Sequence, residues 1–195
     1  MKNYCQLFDF PIKLYREECL KVLGDVDFSL VRPYDKTYEE MLDIAPNFMN
    51  IILKNFKILP LWYRYYVTPK FKQLNPHIDG GEKGVPSPPF ALNLPIIGAE
   101  NTTTIWYDSS DIGNQRKLST VDHFYSTGII AKNSKKLKEV YKQTIDKPTF
   151  IKTDIFHAVK NPNNTVRIML TFIWQNKEGT KGHEIKEPLE VLNQN

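Results

Sequence analysis

Cysteine is scarce in this chain: 195 residues contain two, Cys5 and Cys19. Without CxxC spacing they define neither a disulfide framework nor a thiolate metal site, so free thiols in a reducing compartment are expected. Long apolar runs are missing as well. No stretch approaches the roughly eighteen apolar residues that a membrane-spanning helix needs. The opening MKNYCQLFDF also lacks the basic-then-apolar order of a secretory signal. The chain is accordingly read as cytoplasmic, with no membrane partner. There is no GxxxxGK phosphate loop and no GxSxG elbow, which removes the local devices of ATP hydrolysis and serine esterase chemistry. Nor is there a strong excess of one charge. The formal net charge is +4, with acidic residues scattered among the lysines, so a nucleic-acid role is only weakly supported.

The composition, 41% hydrophobic and 25% charged, suits a single domain with a substantial core over residues 1–195. A helical portion is expected over 1–58 and a β-rich core over 59–175. In IKLYREECLKVL, the positions Ile12, Tyr15, Cys19, Leu20 and Leu23 recur at helical intervals, and Gly24 is placed to stop the helix. Thr37 and Glu40 have capping-box spacing ahead of a second helix through Met41, Ile44, Phe48, Ile52 and Phe56, which Pro46 should kink or divide. Beyond Leu59 the period shortens. LWYRYYV, FALNLPII, TTTIWYD, FYSTGIIA, TFIKTDIFHAV and VRIMLTFIW read as strands, interrupted by a helix expected in SKKLKEVYKQTI. Two packed antiparallel sheets, or one rolled sheet, with helices outside would account for this order. GGEKGVPSPP, residues 80–89, reads as a loop beginning next to the candidate site, and the tail from Asn176 as a polar appendage or ordered edge.

The chemistry lies in LNPHIDGG and TDIFHAV. His77 and Asp79 are two residues apart, so on an extended segment both side chains leave the same face and can chelate one ion. His157 can supply a third ligand from another strand. Two imidazoles and a carboxylate leave coordination positions open, which suits a catalytic nonhaem iron better than a closed structural site. The competing reading gives His77 a surface or turn role and makes His157 a hydrogen-bonded core histidine. Arg167, in the apolar run VRIMLTFIW, would need an anionic partner if buried. A hairpin over NPNNT is expected to set His157 and Arg167 on adjacent strands, about 5 Å apart between backbones.

Together, His77, Asp79, His157 and Arg167 resemble the HxD...H triad and distal basic residue of the 2-oxoglutarate and Fe(II) dependent oxygenases. The resemblance covers approximately residues 60–175. It implies a double-stranded β-helix core, of jelly-roll or cupin-like type, with Fe(II) on His77, Asp79 and His157. It also implies 2-oxoglutarate on the iron with its 5-carboxylate held by Arg167. Dioxygen would be consumed, succinate and carbon dioxide released, and an unidentified primary substrate oxidised, most simply by hydroxylation. Tyr63, Tyr65 and Tyr66 are all candidates for a cosubstrate contact, Tyr66 being the one taken forward. Asn93 is a contact near the iron or, as the preferred alternative, a turn-capping asparagine. Two positions after Arg167 stands Met169, where many members have serine, and Thr171 lies farther along the same strand face. A zinc hydrolase using the same three ligands is one alternative. Another is a noncatalytic sugar- or protein-binding β-fold using Trp62, Tyr63, Trp106, Tyr107 and Trp174. Asp122 and His123, being adjacent, point to opposite faces of a strand and are poor partners for one site, and His183 is expected to be solvated.

Overall fold

The computed structural model describes residues 4–79, 89–111, 115–117, 129–174 and 185–193. Local signals set its helices. A 3-10 turn at Ile12–Tyr15 runs into α1 (Arg16–Leu23), and Gly24 ends it at φ 69°, a conformation that side chains with a Cβ rarely adopt. Thr37 Oγ1 accepts from the Glu40 amide while the Glu40 carboxylate accepts from the Thr37 amide, opening α2 (Tyr38–Ile44) with the capping box read from sequence. Pro46 divides rather than kinks the run: α2 closes before it, and α3 (Pro46–Asn55) begins on it, where the missing amide costs no helix bond. No helix among the described residues is long and apolar enough to cross a membrane.

The strands form two antiparallel sheets. In the first, the spatial order is β1 (Cys5–Leu7), β11 (Thr149–Lys152), β6 (Phe90–Ile97), β13 (Arg167–Ile173), β3 (Trp62–Thr68) and β2 (Arg32–Lys36). In the second it is β10 (Glu139–Gln143), β7 (Thr103–Tyr107), β12 (His157–Asn161), β5 (His77–Ile78), β9 (Ile129–Ala131) and β8 (Gln115–Lys117), with β4 (Lys72–Gln73) also pairing β12. The segment taken as helical over 1–58 therefore contributes both edge strands of the first sheet as well as α1–α3.

Alternation along the strands separates two environments. Tyr63 and Tyr65 of β3, Leu92 and Leu94 of β6, and Ile168, Leu170 and Phe172 of β13 pack against Phe10, Cys19, Met41, Phe48, Met49 and Ile52 from the helical portion. The residues between them, Tyr66 on β3 and Met169 on β13, join Trp106 of β7 and Ile151 of β11 in a smaller cluster between the sheets. The layers are thus helices, first sheet, second sheet. Trp106 and Trp174 are buried and donate their indole N–H groups to the Lys152 and Ile58 carbonyls, so core packing accounts for both. Tyr63 is buried with them.

Two local expectations are corrected. SKKLKEVYKQTI forms a 3-10 turn (Ser134–Lys136) and then β10, because pairing with β7 and stacking of Tyr141 on Tyr4, with centroids 5.1 Å apart, overrule its helical spacing. The NPNNT turn is an arch between sheets rather than a hairpin within one. Asn161 Nδ2 donates to the carbonyls of Thr68, Pro69 and Thr165, which ties the arch to the end of β3 and directs β13 into the first sheet. Of the two readings of the tail, its described part takes the ordered one: Ile185 and Val191 are buried, and Leu192 bridges to Phe56. The loop at 80–88, residues Asp122 and His123, the first part of the FYSTGIIA strand and His183 lie outside the described residues.

Gly98 makes the closest approach in this framework. At φ 61°, a Cβ there would stand 2.2 Å from the Val166 carbonyl oxygen, immediately before Arg167.

Candidate metal centre

β12 lies between β5 and β7, with His157 opposite both His77 and Trp106, so strand pairing alone sets the two imidazoles side by side. Their ring centroids are 4.5 Å apart. Each ring is oriented by its own chain: His77 Nδ1 lies 2.9 Å from the Asn75 carbonyl oxygen and His157 Nδ1 3.0 Å from that of Ile155. A carbonyl can only accept, so both Nδ1 atoms carry hydrogen and both Nε2 atoms can present a lone pair. Asp79 follows β5, its amide donating to the Thr153 carbonyl, and its Oδ1 lies 3.3 Å from His77 Nε2 and 3.7 Å from His157 Nε2. The three donor atoms lie within 4.8 Å of one another. Around a first-row divalent ion with bonds of about 2.1 Å, ligands at right angles stand about 3 Å apart, so a modest contraction would close this triangle on a cation.

Electrostatics without a cation show what the triangle lacks. Burial pulls His77 down, but hydrogen bonding to Asp79, the Asp79 charge and the Asn75 carbonyl together raise its pKa above the usual value. Burial opposes ionisation of Asp79 too, yet the facing histidines and Arg64 hold its carboxyl down at about 2. His157 is lowered, by burial first and then by the charge of His77. Below its raised pKa, His77 carries a proton where a cation would bring two charges. A divalent ion must displace it, so affinity is expected to fall about tenfold per pH unit below the raised His77 pKa and to level off above it. Chelator competition at about pH 5.5 and 7.5 measures this, and equal affinities would remove His77 from the ligand set.

Facing the triangle across a narrow cavity are residues of the first sheet: Tyr66, Asn93, Ile151, Arg167, Met169 and Thr171. His157 and Arg167 thus look at one space from opposite sheets, not from neighbouring strands. Of the three tyrosines considered, Tyr66 is the one that lines this space; Tyr63 and Tyr65 face the helices. Burial, then the Asp79 charge, pushes the Tyr66 hydroxyl up to about 12, keeping it a neutral donor. Asn93 does not cap a turn. It sits within β6, directly opposite Thr171, whose hydroxyl donates to Asn93 Oδ1 at 2.7 Å.

Two arginines flank this surface, and their surroundings differ. Arg64 donates through Nε and Nη2 to the two oxygens of Asp35, at 2.5 and 2.7 Å, and its charge is locally matched. Arg167 is 2% exposed, its Nε has no hydrogen-bond partner, and burial lowers its pKa to about 10 with no opposing carboxylate among the described residues. Burying an unmatched cation costs several kcal/mol (about 3–5).

No family model and no curated protein matches this chain. Residues alone therefore carry the functional argument. Arg64 was not singled out in the sequence reading, although its place in LWYRYYV, two residues before Tyr66, puts it on the same strand face.

Proposed function

We propose that this protein is an Fe(II)- and 2-oxoglutarate-dependent dioxygenase that oxidises, most simply by hydroxylation, a substrate still to be identified. The observation that carries this reading is the pairing of an open two-histidine, one-carboxylate triangle with an unmatched buried arginine in one cavity. His77, Asp79 and His157 would hold the iron, and Arg167 the distal carboxylate of the 2-oxo acid. Bound together, iron, 2-oxoglutarate and dioxygen supply the oxidising power, with succinate and carbon dioxide as by-products. The chain supplies orientation. The backbone-locked imidazoles fix the ligand plane, the neutral Tyr66 hydroxyl and the Asn93–Thr171 pair offer polar contacts, and Ile151, Leu74, Val159 and Met169 limit water.

The strand order supports a jelly-roll reading. Taking β3, β5, β6, β7, β10, β11, β12 and β13 as strands I to VIII, the sheets run VI–III–VIII–I and V–IV–VII–II. Apart from the IV–V step, every connection changes sheet, as in a double-stranded β-helix.

A zinc hydrolase could use the same three ligands, but it gives the buried Arg167 no partner. Incubation with 2-oxoglutarate under air tests the proposal. Succinate is expected with Fe(II) and not with Zn(II) or without metal, and succinate formation independent of iron would overturn it.

A further inference from the structure

Strand pairing extends the metal centre beyond its ligands. His77 of β5 stands opposite His157 of β12, His157 opposite Trp106 of β7, and Trp106 opposite Tyr141 of β10. Directly opposed residues project from the same face, on strands about 4.8 Å apart. One row of side chains therefore runs from the metal triangle to the edge of the second sheet. Trp106 is fully buried, its ring centroid 5.6 Å from that of Tyr141 and 6.0 Å from that of Tyr4. The two tyrosines stack on each other, and Tyr141 is 36% exposed.

Between described residues, the ring contacts that join only tryptophan and tyrosine all lie in this group. On the helical side of the first sheet, each aromatic contact includes a phenylalanine. Phenylalanine packs as well as tyrosine but gives up an electron far less readily, so packing alone does not account for the separation. Tyr141 also has an outlet for a proton and a source of hydrogen. Its hydroxyl donates to Gln143 Oε1 at 3.2 Å on the exposed edge and lies 3.9 Å from Cys5 Sγ. With its own hydrogen directed at Gln143, the phenol oxygen is left to accept from the Cys5 thiol.

We propose that Trp106, Tyr141 and Tyr4 form an electron relay that draws an oxidising equivalent from the metal centre to the surface when no primary substrate is bound. The inference rests on reading the triangle as an iron site that reacts with dioxygen. Trp106 loses an electron to the one-electron oxidant that this chemistry leaves at the metal. Tyr141 refills Trp106, and its hydroxyl proton passes Gln143 to water. The tyrosyl radical then takes the hydrogen atom of the Cys5 thiol, and a soluble thiol restores Cys5 by giving up a hydrogen atom of its own. Before that repair the metal centre has gained one electron, water one proton, and Cys5 has lost the hydrogen atom that contained both.

Freeze-quenched electron paramagnetic resonance on the full chain tests the relay, with oxygen-free Fe(II)-loaded protein mixed with hydrogen peroxide and no 2-oxo acid. A transient tyrosyl signal is expected in the parent and a stronger, longer-lived one in Cys5→Ser, since serine does not surrender its hydrogen. Adding Trp106→Phe to Cys5→Ser should abolish the signal, and so should adding Tyr4→Phe and Tyr141→Phe together, with iron binding unchanged in chelator competition. With 2-oxoglutarate and air but no primary substrate, the paired tyrosine substitutions should leave the initial rate of succinate formation unaltered. They should cut severalfold the number of turnovers reached before inactivation. An undiminished signal in either set of variants, no signal in Cys5→Ser with iron bound, or turnover unshortened by the tyrosine substitutions would overturn the relay. Absence of succinate beside a signal that these substitutions abolish would overturn the 2-oxo acid reading and leave the relay standing. A chain that binds no Fe(II) would overturn both.

Discussion

Replacing His77 or Asp79 with alanine is expected to lower iron-dependent conversion of 2-oxoglutarate to succinate by more than about a hundredfold. Loss of a residue that merely supports a metal ligand commonly costs about 10–100-fold in affinity or activity, and loss of a ligand should exceed that. The side chains of His77 and Asp79 are 25% and 22% exposed and belong to neither apolar cluster, so both variants should retain the fold by circular dichroism and thermal melting. Loss of turnover with an intact fold, together with loss of divalent-ion binding in chelator competition, identifies them as ligands. Full turnover in both variants would eliminate the metal centre. His157→Ala is a less clean test, because His157 is 5% exposed and opposite Trp106, where truncation also disturbs packing.

Arg167→Met should separate stability from function. In the protein without ligand, the substitution exchanges an unmatched buried cation for an apolar chain of similar reach, so denaturant unfolding should show a gain of about 1 kcal/mol or more. The same variant should bind 2-oxoglutarate at least about thirtyfold more weakly, since removing one partner of a buried charge pair costs about 2–5 kcal/mol. Divalent-ion binding should persist, as Arg167 reaches the cavity from the other sheet. A guanidinium with only a structural role gives the opposite first result, with the variant less stable and 2-oxoglutarate binding unaltered. Arg167→Lys should recover only part of the affinity, because an ammonium keeps the charge without the two-pronged donor geometry.

The sequence made legible what short-range chemistry decides. Thr37 with Glu40, Pro46 and Gly24 act within a turn of their own positions, and the helical boundaries they imply are those observed. His77 and Asp79 were visible because a two-residue step on extended chain has one geometric outcome. The misreadings concern choices made across the fold. In SKKLKEVYKQTI, Leu137 and Tyr141 stand at helical spacing, but an edge of β7 was open to residues 139–143. Whether the chain after Asn161 returns to its own sheet or crosses to the other depends on Asn161 reaching Thr68 and Pro69, far away in sequence. The same limit applies to Tyr66: alternation separates it from Tyr63 and Tyr65 but does not say which face meets the helices. Asn93 resembled a turn residue because its partner, Thr171, lies on another strand.

Arg167, Met169 and Thr171 face the cavity while Ile168, Leu170 and Phe172 face the helices, so β13 carries two messages interleaved residue by residue. Such a strand has a reading frame. A slip of one residue in its pairing with β3 and β6 would send the arginine into the greasy layer and an isoleucine toward the ligand, while a slip of two would restore the phase. Gly98, too close to Val166 to tolerate even a methyl group, marks the point where that frame is held. Substitution at position 98 should therefore be rare among descendants of this chain.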